Sequence, residues 1–197
     1  ADNNTGIGYA ALNQNTTGIQ NVAVGTEALE NNQTASNNTA VGYQALEENT
    51  IGADNVAVGS VALDANTTGS QNVAIGVSAL TSNTSANDNT AIGHNCLPLN
   101  TTGTSNVAVG NDSLEQNTTA SNNTAIGYRA SKGNTTGTQN DALGAFSLFT
   151  NTNGSYNVAI GTIAVYWDDI KGLVSGVTKE MKDQLASATA TKDAALN

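Results

Sequence analysis

A glycine returns every 17 residues through most of this chain, at positions 8, 25, 42, 59, 76, 93, 110, 127, 144 and 161, with no insertion or deletion. A unit of that size cannot bury an apolar face alone. It must stack on copies of itself, and a fixed period near 20 residues is the signature of a solenoid. We number the coils one to ten by these glycines and count positions within a coil from its glycine as zero.

The residue before each glycine is aliphatic: Ile7, Val24, Val41, Val58, Ile75, Ile92, Val109, Ile126, Leu143 and Ile160. Position −3 is Val or Thr apart from Asp141, position −2 is Ala apart from Gly6, and position −4 is Asn. These residues predict a short strand with its β-branched side chains on one face and Asn and Ala on the other. The column Ala23, Ala40, Ala57, Ala74, Ala91, Ala108 and Ala125 predicts close approach to another surface, because a larger side chain would clash there. Position +4 is Leu in most coils, as in Leu29, Leu46 and Leu63, and predicts a second extended segment contributing to the same thin core. The glycine between the segments marks a bend. Asn-Thr-Thr-Gly, at 15–18 and 66–69, marks the return corner. Stacked Asn at +7 and −4 predict amide ladders from coil to coil. Ten coils at the strand spacing make a rod about 48 Å long. Each coil is expected to bury its own Val, Ile, Leu and Ala, and Ala-to-Ala contact between rods favours an oligomer.

After Gly161 the pattern changes. Asp168 and Asp169 cap a predicted helix start, and Ile170, Val174, Val177, Met181 and Ala188 follow a heptad seam weakened by Gln184 and Thr191. Fully helical, residues 168–196 would span about 43 Å. A parallel coiled coil is the favoured reading, a helix capping the solenoid the alternative. The expected division is 1–165 solenoid and 166–197 neck and stalk. The chain starts inside a repeat and stops inside a helical pattern, as a piece of something longer would.

Composition narrows the function. Six Lys and Arg stand against 16 Asp and Glu, for a net charge of −10. That argues against a nucleic-acid partner and against electrostatic attachment to an anionic membrane. The lone Cys96 makes no intrachain disulfide, and no apolar run is long enough to insert in a bilayer.

The unit Asn-Thr-Ala-Ile-Gly-Tyr at 123–128, its near copy at 38–43, Gln-Ala-Leu at 44–46 and the Asn-Thr-Thr-Gly corner together resemble the repeats of phage tail-fibre proteins. The Asn-x-Ala-Ile-Gly core is also similar to the head repeats of trimeric autotransporter adhesins. That resemblance implies a left-handed parallel β-roll that forms a homotrimer and passes into a coiled-coil stalk. It covers residues 3–165. The period is longer than in the adhesin heads, so the tail-fibre pattern fits better.

Several constellations have residue types that could carry chemistry. His94 and Cys96 could pair as base and nucleophile or as metal ligands, but no third partner stands nearby. Val41 to Leu46 fits one hexad of trimeric left-handed β-helix acyltransferases, which need three per coil. Glu30, Glu47, Asp64 and Glu115 at +5, with Glu48 alongside, form either a Ca²⁺ column or a solvated edge that keeps rods apart. Thr pairs at +8 and +9, such as Thr67-Thr68, suggest an ice-binding array with one displayed column. The pattern breaks at Tyr128, Arg129, Lys132, Phe146 and Phe149, which gather three of the eight aromatic and two of the six basic residues in two coils. They are either a receptor-contact patch or a packed transition region.

The sequence thus points to an all-β solenoid fibre segment without catalytic, cofactor or metal residues. It would lie on an extracellular surface or a virion tail fibre and attach to a surface receptor, with a glycan as one candidate. The homotrimer would be held by the Ala column and by Ile170, Val174, Val177 and Met181. The alternative is a monomeric Thr-array solenoid such as an ice binder.

Overall fold

The structure is a computed structural model, and it describes residues 2–161. The chain divides into two units, Ala1–Thr162 and Ile163–Asn197. The expected helix seam, with Ile170, Val174, Val177 and Met181, lies outside the described residues.

The first unit is an all-parallel β-solenoid. Its strands are β1 (Thr5–Ile7), β2 (Val22–Val24), β3 (Thr39–Val41), β4 (Val56–Val58), β5 (Val73–Ile75), β6 (Thr90–Ile92), β7 (Val107–Val109), β8 (Thr124–Ile126), β9 (Asp141–Leu143) and β10 (Val158–Ile160). They form one sheet in sequence order. Each residue pairs with the one 17 positions on, as in Val56↔Val73 and Ala57↔Ala74. No helix occurs among the described residues.

The interior is narrow. The Ala column of the strands is fully buried, and so are Ala at +3 and Leu at +4, as in Ala57, Ala62 and Leu63. Strand Ala therefore faces turn Leu across the inside of a single coil. This corrects the expectation for Ala23, Ala40, Ala57, Ala74, Ala91, Ala108 and Ala125. They are small because the Leu opposite fills the space, and a single chain already removes them from solvent. The β-branched residues at −3 and −1 consequently face outward, since side chains alternate along a strand. They are not core residues: Val41 is 36% exposed and Ile75 37%.

The expected second extended segment is absent. Residues +1 to +5 form turns instead. Positions +3 and +4 are adjacent yet both buried, which strand alternation forbids. The backbone resolves this by entering the left-handed region at +2 and +4, as at Gln44 (φ 51°), Leu46 (φ 55°), Val61 (φ 50°) and Leu63 (φ 53°). For L residues that conformation costs on the order of 1–2 kcal/mol each. The glycine at zero has a requirement of its own. Gly59 has φ 139°, and a Cβ there would lie 2.6 Å from the carbonyl carbon of Gly76 in the next coil.

Both amide ladders form. At −4, Asn72 donates its backbone N–H to Asn55 Oδ1 (3.0 Å) and its Nδ2 to the Ala86 carbonyl (2.8 Å), while its own Oδ1 accepts the Asn89 N–H (3.0 Å). At +7, Asn66 donates Nδ2 to Asn49 Oδ1 (2.8 Å) and to the Gly69 carbonyl (2.9 Å). These amides are fully buried in the central coils. An amide with two donors and an acceptor can serve the coils on either side at once, and no apolar residue of that size could.

Two substitutions test this account by denaturant unfolding. Asn72→Ala strands the Asn89 backbone N–H, while the Ala86 carbonyl keeps its bond from Asn83 (3.1 Å), and should cost about 1–3 kcal/mol. Val61→Asn relieves a β-branched residue held at positive φ and should stabilise by about 1 kcal/mol.

Candidate functional site

Two surfaces stand out. The first is the outer face of the sheet. Its −3 column runs Thr5, Val22, Thr39, Val56, Val73, Thr90, Val107, Thr124, Asp141 and Val158, and its −1 column is aliphatic throughout. Asp141 is its only ionisable residue in the strands. Ten short strands in register make this face narrow and repetitive. It was missed in the sequence because β-branched residues in a strand are ordinarily assigned to a core. The signal was present in the pairing of an Ala column with a Leu column, which fills the interior without them.

The second is the edge formed by positions +1, +2, +5 and +6, where the repeat is not conserved from coil to coil. In coils two to four this edge is acidic. Glu27, Glu30 and Glu47 bring carboxylate oxygens within 4.8 Å of one another. Burial and the nearby Asp64, Glu27, Glu48 and Glu30 push the Glu47 carboxyl up to about 6. Asp64 is raised too, by burial and by Glu48. Gln44 donates to Glu27 (3.0 Å), and Asn31 donates to Glu48 (3.2 Å). The expected column thus exists, joined by Glu27 from +2, and Glu115 stands apart from it against Lys132.

In coils seven to nine the edge changes character. The structure brings together Tyr128, Arg129, Phe146 and Phe149. Tyr128 and Phe146 meet edge-on at 5.2 Å between ring centroids, and Phe146 and Phe149 at 5.4 Å. The Arg129 guanidinium lies 4.9 Å from the Tyr128 ring centre and donates to Asp112 (3.1 Å). Lys132 pairs with Glu115 at 2.5 Å. Burial disfavours the Asp112 carboxylate, but hydrogen bonds from Arg129 and Asn95 and the charges of Lys132 and Arg129 outweigh it and hold the carboxyl below its ordinary range. The patch carries both signs of charge, in pairs, around three rings.

His94 and Cys96 do not form a pair. His94 is exposed, whereas Cys96 points inward, 3.1 Å from both the Ala108 carbonyl and Ser113 Oγ. Burial pushes its thiol up to about 11, which disfavours the thiolate a nucleophile or metal ligand needs. The Thr pairs divide as well. Thr at +8 donates Oγ1 to the next coil's carbonyl, as Thr67 does to Thr84 (3.0 Å). Only the +9 hydroxyls, such as Thr68 and Thr102, are left as a displayed column.

No family model, curated protein or solved structure matches the chain.

Glu47 makes stability depend on pH in a defined direction. A carboxyl raised in the folded state binds its proton more readily there, so stability rises as pH falls through about 6 towards the unfolded value of 4.5, and is lost again as pH rises. Melting should therefore occur at higher temperature at pH 5 than at pH 7. Glu47→Gln should raise the melting temperature at pH 7 more than at pH 5, and equal shifts at both would contradict the assignment.

Proposed function

We propose that this chain is a non-enzymatic fibre segment, a rod that gives reach and stiffness to an attachment structure on a cell surface or a virion tail fibre. The observation that carries the proposal is the outer sheet face. It is aliphatic and Thr-rich, almost without charge, and runs the length of the solenoid in a chain with a net charge of −10. Contiguous exposed apolar surface of this kind is covered by a partner in most soluble proteins. A second and third copy of the same chain are the partners that match its length and period, so the rods associate as a homotrimer through Val, Ile and Thr rather than through Ala. The likeness of the repeat to tail-fibre and trimeric-adhesin repeats supports the same reading, including a left-handed coil and a coiled-coil stalk built on Ile170, Val174, Val177 and Met181. Each arm then presents its variable edge to a surface receptor, a glycan among the candidates, with Tyr128, Arg129, Phe146 and Phe149 as the contact patch. Three arms would multiply a weak contact by avidity.

The rival reading is a monomeric ice binder. A regularly repeated column of Thr and Val favours it, on the strands as well as on Thr at +9.

Light scattering on residues 1–197 separates the two. The fibre reading expects a trimer. It also expects Val56→Lys with Val73→Lys to weaken association while leaving circular dichroism intact, because both side chains point outward. Ala74→Leu should instead lower the melting temperature, by overfilling the interior at a cost of about 1–3 kcal/mol. A parent chain that is monomeric at all concentrations overturns the trimer and directs the work to ice-growth assays.

A further inference from the structure

The regularity of the interior fails at one place, and three independent observations locate it. The Leu column is broken in coil eight, where position +4 is Ser131. Ser131 is 1% exposed, and its hydroxyl has no hydrogen-bond partner. The −4 ladder weakens in the same coil. Asn106 and Asn140 each donate to a carbonyl in the following corner, Ala120 (2.9 Å) and Gly154 (2.8 Å), but Asn123 makes no corresponding bond to Gly137. The +7 ladder stretches there too. Asn151 reaches Asn134 at 3.5 Å, whereas Asn117 reaches Asn100 at 3.0 Å and Asn66 reaches Asn49 at 2.8 Å.

The outside of the rod is reinforced at the same level. Arg129–Asp112 and Lys132–Glu115 tie coil eight to coil seven. Tyr128–Phe146 ties coil eight to coil nine, and Phe149 packs on Phe146. The aromatic and basic residues that break the repeat pattern therefore sit over the coil whose core breaks it.

We propose that coil eight is the yield point of the rod, a junction with a weakened core held shut by a surface clasp. In coils two to seven each coil is fastened by a buried Leu and two unbroken amide ladders, which salt does not reach. Here part of the fastening consists of partly exposed ion pairs and aromatic contacts. Ion pairs at such exposure are individually weak and screened by salt. Coils eight to ten consequently open as a unit while coils two to seven stay closed, a local equilibrium of the kind seen where buried contacts are fewest. The clasp residues set the threshold for that opening, whether or not they also touch a receptor.

Hydrogen exchange of the full chain, read by mass spectrometry, tests this. The amides of Gly144 and Phe146 bond back to coil eight, through Ile126 (2.8 Å) and Tyr128 (2.9 Å), as those of Gly76 and Ser78 bond back to coil four. Exchange at Gly144 and Phe146 should be faster than at Gly76 and Ser78 by on the order of tenfold or more. High salt, Arg129→Ala and Phe146→Ala should each widen the gap. Ser131→Leu should close it by restoring the column. If that variant does not fold, Ser131→Ala decides instead, because it removes the stranded hydroxyl without adding volume and should narrow the gap. The proposal is overturned if protection declines smoothly from coil ten inward with no step at coil eight. It is equally overturned if the step is indifferent to the changes at Ser131.

Discussion

A buried side-chain amide that bonds to the coil below and the coil above leaves the chain almost no freedom of register. Asn72 takes its place only if Asn55 lies one coil before it and Asn89 one coil after. Buried polar groups without partners are costly, so any slip of the stack strands a whole column of them. The constant period follows from this constraint. An insertion of a single residue would displace every Asn beyond it, whereas one confined to an apolar core could be absorbed by repacking. The ladders therefore account for the unbroken step of 17 residues more directly than the sheet does.

The narrow interior is the second consequence. With Asn at both ends of the coil's inner wall and Ala along the strand, one Leu per coil fills what remains. The chain accepts left-handed backbone at +2 and +4 to bring Ala and Leu inward side by side. Large aliphatic residues then have no room inside, and Val and Ile are left to the outer face. The amphipathic rule is inverted at the strand. Its Ala, with the Asn just before the strand, is hidden, and its larger β-branched residues are displayed.

That inversion marks how much could be read from the sequence. The solenoid, the coil boundaries, the bend at each glycine and both amide ladders follow from spacing alone, because each depends on what recurs at one position. Which strand face is inside does not. Strand alternation is symmetric between the two faces, and the choice depends on what stands opposite, which here is a Leu in a conformation that its residue type gives no reason to expect. The acidic cluster was half visible. Glu30, Glu47 and Asp64 align in one column, but Glu27 joins them from +2 because the turn folds that position beside +5. The grouping of Tyr128, Arg129, Phe146 and Phe149 was legible as a departure from pattern, and their cross-coil partners follow from adding or subtracting one period. The weakened ladders beneath them were not legible, since Asn123, Asn134 and Asn151 are all present and only their distances differ.

The outer face also raises a problem of alignment. A surface that repeats at every coil can be laid against its copy in nearly as many ways as it has coils, each offset by one step of about 4.8 Å and each almost equal in contact. Uniformity supplies adhesion but no vernier. The single carboxylate of Asp141 within an otherwise uncharged pair of columns is the kind of mark that removes the degeneracy. Any frame that sets it against a neighbour's Val or Ile buries an uncompensated charge, and only frames that keep it at an edge or in water escape that penalty. One irregular residue in ten coils would then do for parallel rods what a notch does for a rack.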